Sequence, residues 1–158
     1  MPDVRVGPDS RTDPITLLAF DFGARRIGVA VGNALTGRAR AIGTLDNRDS
    51  GPDWSGIDAF IGEWSPDRLV VGMPYNMDGT EHALASKVNE FAAALADRTR
   101  LPVDFVDERL SSHEAMERLK HERQDGHRRR IRKEDVDSAA AAVILETWLN
   151  SHSLDKTQ

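Results

Sequence analysis

The first part of the chain contains two different patterns of apolar positions, and both predict strands. The run ITLLAF, residues 15–20, is almost wholly apolar, as in a strand that is buried on both faces. RIGVAVG, residues 26–32, has a period of two, with bulky side chains on one face only. Its small face consists of Gly28, Ala30 and Gly32. The intervening FGAR suits a tight hairpin in which Gly23 adopts a positive φ, and the small face leaves room for a packed helix.

The middle of the chain changes to a helical period. After a weaker third strand near residues 40–45, the apolar positions that follow Asp53 share one helical stripe, and Pro66 ends this helix. The stripe consists of Ile57, Phe60, Ile61 and Trp64. The apolar run 67–74 predicts a fourth strand. A second helix follows it, with Thr80 placed to cap its first turn.

The last third of the chain mixes apolar and strongly charged segments. PVDFVDERL, residues 102–110, predicts a fifth strand with an acidic end. Ser111 and Glu114 have the spacing of a capping box, which predicts a third helix. Residues 121–134 are too highly charged to pack and predict a mobile basic loop. VDSAAAAVILETWL forms a final helix with an apolar inner face. That face consists of Val136, Ala140, Val143 or Ile144, and Trp148.

The order of these elements predicts an α/β fold with a mixed five-stranded sheet. The first three strands are antiparallel hairpins, the later strands are joined by crossovers, and helices cover both faces. A chain of 158 residues has room for one well-packed domain. We place this domain at residues 15–150, between a flexible leader, 1–14, and a tail, 151–158.

Composition narrows the function classes. Hydrophobic residues make up 39% and charged residues 30% of the chain, which is typical of a soluble globular protein. No apolar run approaches the roughly 20 residues of a membrane helix, and the polar start lacks the hydrophobic segment of a signal peptide. We therefore expect a cytoplasmic protein with no membrane partner. Its net charge of -5 argues against binding nucleic acid through bulk electrostatics alone.

The absence of cysteine excludes disulfides and thiolate metal sites. A metal ion would have to be held by oxygen or imidazole. The five histidines show no metal-ligand spacing with one another, so oxygen ligands remain.

Acidic residues lie at the ends of three apolar elements instead of on solvated faces. Asp21 follows the first strand, Asp107 and Glu108 follow the fifth, and Asp137 opens the last helix. If these two strands are parallel, their carboxyl ends share the edge of the sheet at which ligands bind. Carboxylates gathered there repel one another unless a cation binds them, and oxygen ligands with open positions favour Mg²⁺ or Mn²⁺. Two such ions about 3.5 to 4 Å apart stabilise the attacking and leaving oxygens of phosphodiester cleavage, which is the chemistry that we predict.

Each acidic residue also has a purely structural interpretation. Asp21 suits a turn in which the carboxylate binds the following backbone. Asp137 suits the first turn of a helix, where the dipole favours negative charge. Glu108 and Arg109 suit a surface ion pair of little energetic value. Only the three acidic positions together favour a catalytic site.

Two further segments are candidates for contacts with the substrate. The loop YNMDGT precedes a helix N-terminus, an arrangement that favours anions, although an ordinary type I turn at Gly79 explains it equally well. The basic run HRRRIRK, residues 127–133, would contact phosphates or would simply be a solvated charge run. The candidate substrate-binding residues are Asn76, Asp78, Thr80, Arg109, Arg128, Arg129 and Arg130.

Four segments, FDFGARRIGVAVG, VVGMPYNMDGTE, VDERLSSHEA and VDSAAAAVILETWL, closely resemble the YqgF/RuvX family in their order and spacing. The resemblance implies an RNase H-like three-layer fold, related to the Holliday junction resolvase RuvC. Position by position, the acidic residues of the family fall on Asp21, Glu108 and Asp137, with Asp107 as the alternative to Glu108 because the register is not fixed. Asn33 stands where many relatives carry an aspartate, which we interpret as the loss of a charge from the outer shell of the site.

The resemblance implies an endonuclease that depends on Mg²⁺, or on Mn²⁺, and binds it through Asp21, Glu108 and Asp137. Members of the family are described as nucleases that process the 5′ end of pre-16S rRNA, which we prefer for this chain, or as Holliday junction resolvases. The partner is accordingly nucleic acid, either pre-rRNA or branched DNA. Paired cuts at a junction need two active sites, so a homodimer is expected for the second activity.

Two other function classes compete with the nuclease. A binding or assembly factor would keep the fold and contact nucleic acid without turnover, and it would not bind Mg²⁺ or Mn²⁺. The DFG sequence also suits the phosphate loop of an actin-like ATP-dependent kinase. Such kinases usually enclose the nucleotide between two domains of this kind, which 158 residues cannot supply.

Overall fold

The computed structural model of the chain describes residues 15–74, 82–107 and 133–153, and it describes the side chains of the last range from 136 to 151. The helices and strands of these ranges are β1 (Thr16–Phe22), β2 (Arg26–Asn33), β3 (Arg38–Arg48), β4 (Gly51–Pro52), α1 (Trp54–Trp64), β5 (Arg68–Met73), α2 (Ala85–Thr99), β6 (Val103–Asp107) and α3 (Lys133–Ser153). The predicted third helix from Ser111 lies outside the described residues, as do the leader and most of the predicted basic loop.

The strands form one mixed sheet in the order β4-β3-β2-β1-β5-β6. The hairpins from β1 to β4 are antiparallel, and β1, β5 and β6 are parallel to one another. This confirms the mixed α/β sheet with an antiparallel first half. The sheet has six strands instead of five, because Gly51 and Pro52 pair with the end of β3. β3 is also longer than predicted, and its many half-exposed positions explain why its period was weak.

Helices cover both faces of the sheet, as predicted. On one face, α1 and α2 pack on a core to which β1 contributes Leu18, Phe20 and Phe22. On the other face, α3 packs on a core to which β1 contributes Leu17 and Ala19. The alternation of β1 therefore separates two hydrophobic cores, one on each side of the sheet.

The two helices of the first face differ in how well the sequence predicts their starts. Asp53 is the N-cap of α1, and its Oδ1 accepts a hydrogen bond of 3.0 Å from the backbone N–H of Gly56. The predicted cap of α2 is wrong, because the helix begins at Ala85. Its N-cap is Leu84, which makes no side-chain cap hydrogen bond, so Thr80 lies too far upstream.

The small face of β2 receives α3, as predicted. A Cβ added to Gly28 would lie 2.0 Å from the carbonyl oxygen of Asp137, and one added to Gly32 would lie 2.8 Å from the side chain of Leu145. The predicted inner stripe of α3 is too narrow, since the helix is buried on nearly all sides from Ala139 to Leu145.

The hairpin between β1 and β2 is tight, but for a reason other than the predicted one. Among the described glycines, only Gly37 and Gly51 have a positive φ. The N–H of Gly23 donates to the carbonyl oxygen of Arg26 at 2.8 Å, and a Cβ on Gly23 would lie 2.8 Å from the same oxygen. Glycine is needed here because the two backbones approach closely.

Candidate active site

The carboxyl ends of the three parallel strands meet at one edge of the sheet. Phe20 of β1 pairs with Val71 of β5, which in turn pairs with Phe105 of β6. Asp21 follows Phe20 and is the next-to-last residue of β1. It therefore lies at the edge where open α/β sheets bind their ligands.

Asp21 lies on the face of the sheet that α3 covers. Its neighbour two residues earlier, Ala19, belongs to the α3 core, and successive side chains of a strand alternate between faces. The cross-strand partner of Asp21 is Gly28, and the position of a Gly28 Cβ is filled by the backbone of Asp137. The fold thus brings Asp21 and Asp137 to the two sides of one glycine, although 116 positions separate them in the sequence.

Asp137 is held by its helix and by an ion pair. It is the fifth residue of α3 and does not open it, so the interpretation as a first-turn aspartate loses its basis. Its Oδ2 accepts a hydrogen bond of 2.9 Å from Nε of Arg26. The two side chains are 30% and 27% exposed, so this pair is considerably better shielded than a typical surface salt bridge.

Arg26 is a residue of the site that the sequence interpretation missed. In the sequence it looks equivalent to Arg25, which is exposed in the hairpin loop. The period of β2 does contain a signal, because Arg26 is two residues before Gly28 and so shares the small face. The contact between Arg26 and Asp137 can be inferred only when the position of α3 over this face is known.

Asp107 lies on the other face of the sheet from Asp21. In β6, Val106 packs against the α3 core, and the side chain of Asp104 accepts a hydrogen bond from Trp148 of α3. Asp107, which follows Val106, is therefore directed to the opposite face, and it is exposed. This placement disfavours Asp107 as a partner of Asp21 and Asp137.

Several predicted site residues lie outside the described part of the chain. They are Asn76, Asp78, Thr80, Glu108, Arg109, Arg128, Arg129 and Arg130. Within the described part, no group of three or more acidic or histidine side chains is arranged to hold a metal ion. Two of the three predicted ligands, Asp21 and Asp137, are in that part.

The interpretation of Asn33 as a lost outer-shell charge is wrong. Asn33 pairs with Thr16 at the opposite end of β1 from Asp21, about 16 Å from Gly28 at the rise of a strand. Its Oδ1 accepts hydrogen bonds from the backbone N–H groups of Leu35 and Thr36, at 2.7 and 3.3 Å. Asn33 therefore shapes the turn between β2 and β3.

A cleft of about 440 Å³ lies on the other face of the sheet, beside the end of β1. Phe22, Trp54 and Phe91 contribute to its walls. Its charged lining residues are Arg48, Lys87, Asp49 and Glu90. These are two positive and two negative side chains, so their charges do not by themselves point to an anion or a cation as the ligand.

Comparison with known proteins identifies the family. The family model described as "RuvX: Holliday junction resolvase" matches residues 15–151. The chain belongs to the RuvX family.

Individual relatives agree with this. A relative in Saccharophagus degradans is 44% identical over 137 residues, which cover 87% of this chain and 94% of the relative. A relative in Xanthomonas oryzae pv. oryzae is 48% identical over 134 residues, which cover 85% of this chain and 86% of the relative. Both are named "Putative pre-16S rRNA nuclease". The resemblance found in the sequence is thereby confirmed, and the RuvX family is a family of nucleases.

Solved structures confirm the RNase H-like fold. RuvC of T. thermophilus in complex with a Holliday junction substrate matches with a TM-score of 0.53 and 14% identity, over 87% of this chain and 94% of that one. The yeast mitochondrial Holliday junction resolvase Ydc2 matches with a TM-score of 0.53 and 10% identity, over 89% and 80%. At these identities the likeness concerns the fold alone. Among the described residues, none of the helices has the length and apolar character needed to cross a membrane.

Proposed function

We propose that the protein is a divalent-metal-dependent endonuclease that hydrolyses phosphodiesters at the 5′ end of the 16S rRNA precursor, in the cytoplasm. The observation that carries the proposal is the meeting of Asp21 and Asp137 on either side of Gly28. Both residues lie at the edge where an α/β sheet binds its ligands, and a cation there would offset the repulsion between their negative charges. The names of the relatives support the choice of substrate.

The donor set fits a hard divalent cation. Asp21 and Asp137 offer only oxygen atoms, and the chain has no cysteine to attract a softer metal. We assign Glu108 as the third ligand, because its alternative, Asp107, is directed to the face of the sheet opposite Asp21. Mg²⁺, with Mn²⁺ as a substitute, would supply charge stabilisation to the attacking and leaving oxygens of the phosphodiester.

The protein's own contribution is to fix these carboxylates before the metal binds. Asp21 is anchored by pairing of β1 on both sides, with β2 and with β5. Asp137 is anchored by the contact of its backbone with Gly28. Rigid ligands reduce the reorganisation that the reaction requires. Asn76, Asp78 and Thr80 would border the substrate groove, and Arg109 and the arginines 128–130 would bind phosphates.

Resolution of four-way DNA junctions is the second candidate function. The specific observation in its favour is the fold shared with two resolvases. Junction resolution also requires a homodimer, because paired cuts need two active sites. A protein that stays monomeric when bound to a junction would contradict this alternative.

Replacing Asp21 or Asp137 by asparagine should abolish cleavage. Each change removes the charge of one metal ligand at nearly constant volume, and we expect the rate to fall by about 100-fold or more. The measurement offers a labelled 16S precursor RNA and a four-way DNA junction to the purified protein with Mg²⁺. Asp58→Asn is the matched control, because Asp58 is an exposed carboxylate that pairs with Arg98 of α2, and its rate should equal that of the parent.

The pattern of cleavage separates the candidate functions. Cleavage of the RNA alone supports rRNA processing, and cleavage of the junction alone supports resolution. A parent protein that cuts neither and shows no calorimetric signal with Mn²⁺ at millimolar concentration is a binding or assembly factor. Cleavage at the parent rate by Asp21→Asn would contradict the assignment of the site.

A further inference from the structure

Arg26 lies directly beside the acidic pair. It shares the α3 face of β2 with Gly28, against which the backbone of Asp137 packs. Its cross-strand partner on β3, Asp46, is paired with Arg48 at 2.9 Å. Arg26 instead reaches across to the helix and donates from Nε to Asp137.

The ion pair occupies a carboxylate that the proposed function gives to a metal ion. Oδ2 of Asp137 accepts from Arg26 at 2.9 Å, and about seven-tenths of each side chain is shielded from solvent. A divalent cation on the same carboxylate would lie within a few ångströms of the guanidinium. At this separation, and with partial shielding from solvent, the two positive charges repel each other. Arg26 therefore offsets the charge of Asp137 and opposes the binding of a cation to that carboxylate.

Phosphate would relieve this repulsion. A guanidinium is a planar fork of five donors whose geometry matches a phosphate as well as a carboxylate. A phosphodiester bound at the metal brings negative charge to the place where Arg26 and the cation compete. Arg26 can then exchange Asp137 for a phosphate oxygen without losing its counter-charge.

We propose that Arg26 is a substrate-binding residue of this site: it pairs with Asp137 in the metal-free protein and with a phosphate of the nucleic acid once a divalent cation takes that carboxylate. The proposal rests on the metal-dependent function argued above and adds a residue to it. It has a consequence that a purely structural role does not have. One substitution must move metal affinity and nucleic-acid affinity in opposite directions.

The test is Arg26→Gln, with Arg26→Lys and Arg25→Gln beside it. Removing the charge should tighten the binding of Mn²⁺ alone by about tenfold in calorimetry, because the competing cation is gone. The same variant should bind the labelled four-way junction and the precursor RNA about tenfold more weakly. These affinities are measured by fluorescence anisotropy with Ca²⁺ in place of Mg²⁺.

Two control variants accompany Arg26→Gln. Arg26→Lys keeps the charge and should restore the parent affinity for Mn²⁺. Arg25→Gln, an adjacent exposed arginine, should change neither constant by a comparable amount.

Failure of this inference is distinguishable from failure of the proposed function. Mn²⁺ affinity that is unchanged or weaker in Arg26→Gln overturns the inference, as does unchanged binding of both nucleic acids. If Asp137→Asn still loses Mn²⁺ binding in that case, the metal site stands and only the role of Arg26 is wrong. If Asp21→Asn and Asp137→Asn both bind Mn²⁺ as the parent does, the metal site itself is wrong, and the Arg26 inference is overturned with it. Circular dichroism of each variant excludes unfolding as the cause.

Discussion

Gly28 is the residue on which the site depends most directly. It is the cross-strand partner of Asp21, and it leaves the space that the backbone of Asp137 fills. Any side chain would place a Cβ 2.0 Å from the Asp137 carbonyl oxygen and 2.8 Å from the backbone nitrogen of Ser138. Neither atom belongs to a flexible side chain that could turn aside. The approach of the Asp137 backbone to β2, beside Asp21, therefore depends on the absence of a side chain at Gly28.

Gly28→Ala should displace the start of α3 and separate the two aspartates. We expect a loss of about 1–3 kcal/mol in the free energy of unfolding, as for other overpacked cores, and a loss of cleavage that exceeds what this destabilisation explains. Urea denaturation and the cleavage assay measure the two effects. Gly62→Ala is the control: nothing lies within 4 Å of its added Cβ, and in the interior of α1 it should stabilise by about 0.5–1 kcal/mol. An active Gly28→Ala with parent stability would contradict the packing argument.

At the scale of elements, α1 and α2 are joined by an ion pair on the face away from the site. Arg98 donates to both oxygens of Asp58, from Nε at 2.9 Å and from a terminal nitrogen at 2.7 Å. This hydrogen bonding lowers the pKa of Asp58 and raises the pKa of Arg98. The guanidinium also lies 5.1 Å from the centre of the Trp54 ring. Both partners are about half exposed, so the pair orients the helices and adds little stability.

The contribution of this pair should disappear in acid. Since folding lowers the pKa of Asp58, the pair stabilises above the ordinary value of 3.8 and loses that effect as pH falls through the lowered pKa. Asp58→Asn should therefore have a slightly lower urea midpoint than the parent at pH 7, and this difference should shrink as the pH falls below 3.8. Arg98→Gln should cost more at pH 7, because it also removes the contact with Trp54. A difference between Asp58→Asn and the parent that does not shrink as the pH is lowered would show that the carboxylate charge is not the cause.

At the scale of the whole molecule, one polar cluster ties α3 to the parallel edge of the sheet. Oδ2 of Asp104 accepts from Nε1 of Trp148 at 2.8 Å and from Arg68 at 3.1 Å, and Arg68 lies 5.8 Å from the centre of the Trp148 ring. The three residues come from β6, α3 and β5. Trp148 is 8% exposed, and its buried N–H is hydrogen-bonded to this carboxylate, as buried polar groups generally require. The cluster holds the far end of the helix whose first half carries Asp137.

Asp104→Ala should destabilise the protein by about 1–3 kcal/mol, because it leaves a buried indole N–H without its acceptor. Asp46→Ala is the matched control. Asp46 makes an ion pair of similar length with Arg48, but those side chains are 61% and 74% exposed, and its loss should cost less than about 0.5 kcal/mol. Thermal and urea unfolding of both variants measure the difference. Equal losses in the free energy of unfolding would mean that the cluster does not tie α3 to the sheet.

Much of the architecture follows from local pattern. The burial of a single element is visible in the spacing of its own apolar residues. This is the case for the apolar run of β1, the period of two in β2 and the helical stripe of α1. The small face of β2 even predicts that a helix packs there. β4 was not predicted because two residues cannot show a period. The start of α2 was predicted wrongly because its N-cap residue makes no side-chain hydrogen bond that the sequence could indicate.

By itself, the sequence determined the α/β fold, its family and two acidic residues that the fold brings together, because chemistry and period are local properties. Only the tertiary structure decided which side chains lie on the same face of the sheet as Asp21. It directed Asp107 to the other face, placed Asn33 at the far end of β2, and brought Arg26 to Asp137. These facts depend on strand register and on how closely α3 approaches Gly28. Register and approach are set by packing between separate segments of the chain, which are 111 residues apart for Arg26 and Asp137, and no local pattern records them.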